Sequence, residues 1–200
     1  MNTNLRIPIC NEDINNLVVG DTVHLSGIMI TGRDVVHKWL YDTFIIKSRP
    51  ATEEDQLVYQ AIKPILKGGL IYHCGPVVGG LESKEYRFVA AGPTTSIREE
   101  PYQSDIMQHF GMKGAIGKGG MGHRTLKACQ EIPAVYFHAI GGAAALIAQS
   151  VKQVIAVHKL EFGVPEAIWV IEVVNRGFQS IDWISMIIKM AFSSSLLRRL

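Results

Sequence analysis

Gly92-Pro93-Thr94-Thr95-Ser96-Ile97-Arg98 and, further on, Gly117-Lys118-Gly119-Gly120-Met121-Gly122 bound the stretch that decides the fold. Each follows an apolar run, Phe88-Val89-Ala90-Ala91 in the first case and Ala115-Ile116 in the second. A strand that ends in small, hydroxyl-rich or cationic residues is the usual construction of an anion loop. The two loops are therefore expected to face one acidic ligand, with the rest of the chain supplying the walls of the site and a surface for a partner.

Working outward, Pro101 to Phe110 reads as a helix and Gly114 to Ile116 as a short strand. Arg124 to Gln130 is predicted as a helix whose N-terminus points at whatever the Gly117 loop holds. Ala134 to Ile140 is a strand, Ala143 to Ser150 a small-residue helix, and Ile168 to Val174 a further strand. Upstream, Val23, Leu25, Ile28 and Ile30 alternate around Gly27 in a strand from Thr22 to Ile30, and Asp34 N-caps a helix carrying Val36, Trp39 and Leu40. Residues 47 to 69 read as a surface excursion with a short amphipathic helix near Gln56 to Leu66, and Leu70 to Cys74 as a buried strand. Residues 1 to 20 read as an extended lead-in. Interleaved strands and helices give an α/β sheet with some parallel pairing.

Neither glycine loop is a nucleotide motif. The Gly117 loop lacks the spacing and the following Ser/Thr of a Walker loop, and its glycines do not fit the dinucleotide fingerprint. Adjacent hydroxyls at Thr94, Thr95 and Ser96, followed by the planar Arg98 guanidinium, can hold a carboxylate or phosphate. They can equally cap the following helix. Asp34 and Lys38 are spaced as an ordinary helix-surface pair. His73 reads as a satisfied core histidine, and the histidine spacing includes no zinc-protease motif.

The chain has 200 residues, nearly half of them apolar, enough for one good-sized core. A formal charge of +2 without a face-forming Lys/Arg run argues against a nucleic-acid partner. Three scattered cysteines, Cys10, Cys74 and Cys129, form neither a disulfide framework nor a close-spaced metal motif, and a reducing cytoplasm is the simplest expected location. No apolar run is long enough for a membrane span.

Five segments in order resemble the β subunit of the two-subunit iron-sulfur hydro-lyases, the family of class I fumarate hydratase and L(+)-tartrate dehydratase. They are Leu25-Ser26-Gly27 to Lys38, Tyr72-His73-Cys74-Gly75-Pro76, the Gly92 and Gly117 loops, and Ile140-Gly141-Gly142-Ala143-Ala144-Ala145. Gly163 to Trp169 continues the resemblance. It implies one α/β domain, a swivelling β/β/α domain, three-layered around a mixed sheet. It also implies a four-iron four-sulfur cluster on a partner α subunit and not in this chain, and a heterodimer or heterotetramer. By similarity, Arg33, Thr94, Arg98 and Lys118 bind a C4 dicarboxylate, with Thr94 and Lys118 catalytic and Thr94 in the place of the base. The implied reaction is hydration of fumarate to L-malate, with tartrate dehydration the nearest alternative and a non-catalytic dicarboxylate-binding module a further one. The chain departs from the family in having Glu99-Glu100 after Arg98. Its C-terminal segment, 175–200, is also divergent, and Ile181 to Leu197 reads as an apolar helix needing a partner surface or a core to cover it.

Overall fold

Successive residues of the central strands feed two different cores. Leu70 and Tyr72 pack into one apolar cluster and Ile71 into the other, Val135 and Phe137 into one and Tyr136 into the other, and Ile168, Trp169, Val170 and Ile171 alternate in the same way. Strands covered on both faces read in sequence as unbroken apolar runs. The computed structural model describes residues 2–174 and 186–188.

In chain order the elements are β1 (Asn2–Ile7), α1 (Asn11–Asn15), β2 (Thr22–Thr31), α2 (Asp34–Leu40), α3 (Glu53–Leu66), β3 (Leu70–Tyr72), β4 (Val77–Gly79), β5 (Arg87–Ala90), α4 (Glu100–Phe110), β6 (Gly114–Gly117), α5 (His123–Glu131), β7 (Val135–His138), α6 (Ala144–Gln149), β8 (Val151–His158), β9 (Ile168–Val173) and β10 (Met186–Ile188). Single turns of tighter or wider helix follow α2 and precede α4. The main sheet runs β10-β7-β6-β3-β2-β9-β8, and β1 joins β2. Strands β1, β2, β3, β6 and β7 pair in parallel, while β9, β8 and β10 pair antiparallel, so the fold is α/β with a mixed sheet. One face is covered by α2, α3, α4 and α5, which contribute Trp39, Ile62, Met107 and Cys129 to the second cluster. The other face receives Val78 of the separate β4–β5 ribbon and Ile147 of α6.

Two expectations change. The lead-in is part of the sheet: β1 pairs with β2 from Asn2 to Ile7, and Leu5, Ile7 and Ile9 are buried. Of the divergent segment 175–200, only 186–188 fall within the described residues, and these three form a strand on β7 rather than part of a helix. Among the described residues, no helix is long and apolar enough to cross a membrane.

Candidate functional site

The C-terminal ends of parallel strands are where open α/β sheets place their ligands. Here β2 ends next to Arg33, β3 runs into His73-Cys74-Gly75, and β6 delivers Lys118. The segment Pro93–Ser96 comes across from the ribbon and threads between the last two. Thr94 N–H donates to the His73 carbonyl (2.7 Å), Lys118 N–H to the Thr94 carbonyl (3.1 Å), and Ser96 N–H to the Lys118 carbonyl (2.9 Å). Bridges Cys74 to Pro93 and Thr95 to Lys118 complete the weave. Thr94 and Lys118 thus sit on two loops locked together by backbone bonds.

Arg33 joins them from β2. Its Nη1 lies 3.2 Å from Glu166 Oε1, and its guanidinium presses on Gly75, where an added Cβ would come within 2.6 Å of Nη1. A larger residue there would push the guanidinium aside. Arg98 reaches Asp34 Oδ2 at 4.0 Å, with 61 % of its side chain exposed, so this ion pair is weak and its guanidinium is open to a stronger anion. Lys118 makes no ion pair among the described residues. The four residues named from sequence lie on neighbouring segments at the C-terminal ends of β2, β3 and β6.

Buried side-chain oxygens and nitrogens that lack a partner concentrate in the same place. Among the described residues Asp34 Oδ1, Thr94 Oγ1 and Glu99 Oε2 are of this kind and belong to these loops; Gln103 Nε2, on the helix beneath them, is accounted for below. Folded proteins satisfy nearly all such groups, and a cluster of exceptions marks a site whose partners arrive with a ligand or a proton.

Beneath the loops lies a buried polar chain. His37 Nδ1 is 2.9 Å from the Arg33 carbonyl and its Nε2 is 3.0 Å from the Gln103 side-chain amide; His73 Nε2 meets the same amide at 2.8 Å. His73 Nδ1 reaches Ser96 Oγ (2.8 Å), which also accepts from the Tyr136 hydroxyl (2.9 Å). Burial lowers His37, while burial and the nearby His37 push His73 down to about 3, so both rings are neutral at physiological pH. A carbonyl only accepts, so neutral His37 carries its proton on Nδ1. Its Nε2 is then an acceptor, best met by the NH2 end of the nearly symmetric Gln103 amide, which gives that nitrogen a partner. The chain ties the Arg33 turn to the Thr94–Arg98 turn. His73 is a satisfied core histidine, as its apolar surroundings imply, and it is also the floor of the site.

Three local expectations are corrected. The N-terminus of α5 is not free for a ligand: Glu100 Oε1 accepts from Arg124 N–H (2.8 Å) and Thr125 N–H (3.2 Å), and its Oε2 from Gly122 N–H (2.8 Å). Asp34 is the first helical residue rather than the cap, which is Arg33. Nor does Asp34 pair with Lys38; Lys38 bonds Asp42, and Asp34 faces Arg98. Local spacing carried no trace of Gln103 or Tyr136. Glu166 stood in the continuing motif as a conspicuous carboxylate after a Gly-Val-Pro turn.

The three cysteines do not make a cluster-binding set. Cys10 is exposed at the start of α1, whereas Cys74 and Cys129 are buried in the two different cores with thiols pushed up to about 12 by burial.

A family model described as Fumarase C-terminus matches residues 1–180. A Geobacillus stearothermophilus protein provisionally named a class I fumarate hydratase is 48 % identical over 165 residues, covering 82 % of this chain but only 29 % of that protein. The L(+)-tartrate dehydratase subunit beta of Escherichia coli K12 is 35 % identical over 173 residues, 86 % of this chain and 78 % of the subunit. A Methanocaldococcus jannaschii protein with a provisional name of the same kind is 35 % identical over 170 residues, 84 % of this chain and 80 % of that one. The chain therefore spans most of a separate subunit and less than a third of the longer relative.

Proposed function

This chain belongs to the Fumarase C-terminus family, and we propose that it is the β unit of an iron-sulfur hydro-lyase that adds water reversibly to a C4 dicarboxylate. The reaction we favour is fumarate to L-malate. On this reading the chain is a swivelling three-layered domain that closes over a partner α subunit carrying the cluster, in a heterodimer or heterotetramer. Relatives named as a subunit beta support the partner, and the higher identity to the provisionally named fumarate hydratase supports the substrate.

One observation carries the reading: Thr94 Oγ1 is buried without a partner, on a loop locked to that of Lys118. In the proposed chemistry Arg33, Arg98 and Lys118 hold the two carboxylates. In the dehydration direction, Thr94 Oγ1 takes the proton from the carbon next to one carboxylate. The extra negative charge moves onto that carboxylate, where preorganised cations stabilise it as it develops. An alcohol is a poor base in water, so the accepting species is the alkoxide, which the positive charges of Lys118 and Arg98 would favour against the cost of burying it. In hydration the same oxygen returns the proton. The cluster would act as Lewis acid toward the hydroxyl, and on this reading the partner would carry it; the separation of this chain's three cysteines supports that reading.

The test is to co-express the chain anaerobically with an α-type partner and assay both substrates. A higher kcat/KM on fumarate than on L(+)-tartrate is expected. The reverse order assigns the chain to tartrate dehydration, the reading favoured by the tartrate dehydratase relatives that this chain matches along most of their length. A loaded complex that turns over neither leaves a dicarboxylate-binding module.

Gly75→Ala checks the placement of Arg33. The new methyl occupies the space of the guanidinium, and kcat/KM of the complex is expected to fall between about ten- and a hundredfold through misplacement of one cation. Unchanged steady-state kinetics would mean Arg33 is not used.

A further inference from the structure

Glu99 closes the turn Ser96–Glu99, directly after Arg98, yet it is only 1 % exposed. Its Oε2 and Asp34 Oδ1 are both buried without another partner, while the second Asp34 oxygen faces Arg98 at 4.0 Å. Glu99 is buried and meets the buried Oδ1 of Asp34, whose side chain is otherwise 46 % exposed; two carboxylates in such contact cannot both be ionised cheaply, and a proton held on one of them satisfies both bare oxygens at once. We propose that Glu99 is a positioning residue for the dicarboxylate site: it holds a proton that it donates to Asp34, so that the Asp34–Glu99 pair beside Arg33 and Arg98 carries one carboxylate charge instead of two.

The surroundings agree. Arg33, the cap of α2, and Asp34, its first residue, face Glu99, as does Tyr136 from β7, and Arg98 adjoins it in the chain; Glu166 pairs with Arg33. Burial first, and then the bond to Asp34 and its charge, raise Glu99 to about 8 against the pull of Arg33. A carboxyl with a raised value is neutral below it and charged above it. Ionisation therefore places a second anion beside the cations that receive the substrate, and binding weakens as pH rises through that range. By linkage, a bound dicarboxylate raises the midpoint of Glu99, and each unit of displacement equals a tenfold loss of affinity on full ionisation.

This inference rests on the proposed dicarboxylate site, and the test separates the two. The chain is labelled with carboxyl 13C in glutamate, and the Glu99 resonance is identified by its absence from Glu99→Gln. It is expected to titrate above pH 7, to move to a higher midpoint when succinate is added, and to move to a lower one in Asp34→Asn. In Glu99→Gln, succinate affinity measured by calorimetry should lose its decline between pH 7 and 9. An ordinary glutamate midpoint overturns the proposal, and so does an unmoved midpoint when succinate shifts the Lys118 side-chain signal. If succinate perturbs neither Glu99 nor Lys118, the dicarboxylate reading falls and takes the coupling with it.

Discussion

Replacing Lys118 with alanine is expected to lower kcat of the assembled enzyme by about 10²–10³-fold, the range for loss of one group that stabilises developing charge, with little change in the unfolding midpoint. The second half of that expectation follows from the structure. Lys118 forms no ion pair among the described residues, and its loop is fixed by backbone bonds from Thr94 and Ser96 that an alanine keeps. A lysine between Gly117 and Gly119 without an ion pair among the described residues contributes little to the fold. Steady-state kinetics with denaturation on the same preparation reads both quantities; intact turnover would remove Lys118 from the catalytic pair.

Asp55→Ala is expected to have the largest effect on stability. Asp55 lies at the base of α3, 1 % exposed, and its carboxylate gathers Trp39 Nε1 (2.9 Å), Arg49 Nη2 (2.6 Å), Lys159 Nζ (2.9 Å) and the Thr52 N–H (3.1 Å), while its own N–H donates to Thr52 Oγ1 (3.1 Å). The side chain of Lys159 is 6 % exposed and in the left-handed backbone region, φ 56°. Removing Asp55 takes the nearest carboxylate from Lys159, which keeps Glu161 at 3.1 Å and Glu54 at 3.6 Å, and leaves the indole N–H of Trp39 without its acceptor, a loss of about 2–4 kcal/mol. Although burial works against it, the bonds from Lys159, Thr52 and Trp39 hold the Asp55 carboxyl well below the usual carboxylate range. Its contribution is therefore complete above the ordinary value of 3.8 and fades as pH falls below it. Urea denaturation at pH 7 should show the full gap between wild type and variant, and the gap should narrow in acid. A difference below 1 kcal/mol at pH 7 would reduce the cluster to surface decoration.

The strands and helices of the α/β sheet were legible wherever a local pattern decided them. Apolar runs such as Leu70 to Cys74 and Ile168 to Val174 announced strands buried on both faces, and the glycine loops announced the sheet edge. β1 was not legible as a sheet strand because only Leu5 and Ile7 alternate among Asn, Thr and Arg; its pairing comes from β2, far along the chain. The same physics limited the site. Arg33, Thr94, Arg98 and Lys118 could be named from the resemblance, and the loops around them from composition. Their partners are long-range: Glu166 for Arg33, Glu100 for the N-terminus of α5, and Gln103 beneath two histidines. Asp34 has Lys38 at ideal helical spacing and instead faces Arg98 and Glu99, because tertiary packing outweighs the few tenths of a kcal/mol of a surface pair.

The most direct measurement is a crystal structure of the chain assembled anaerobically with its partner and soaked with L-malate. The expected result is a dicarboxylate whose carboxylate oxygens contact Arg33, Arg98 and Lys118, with Thr94 Oγ1 within hydrogen-bonding distance of the carbon-bound proton to be removed. Malate bound elsewhere, with Thr94 Oγ1 still unpartnered and the three cations facing solvent, would contradict it.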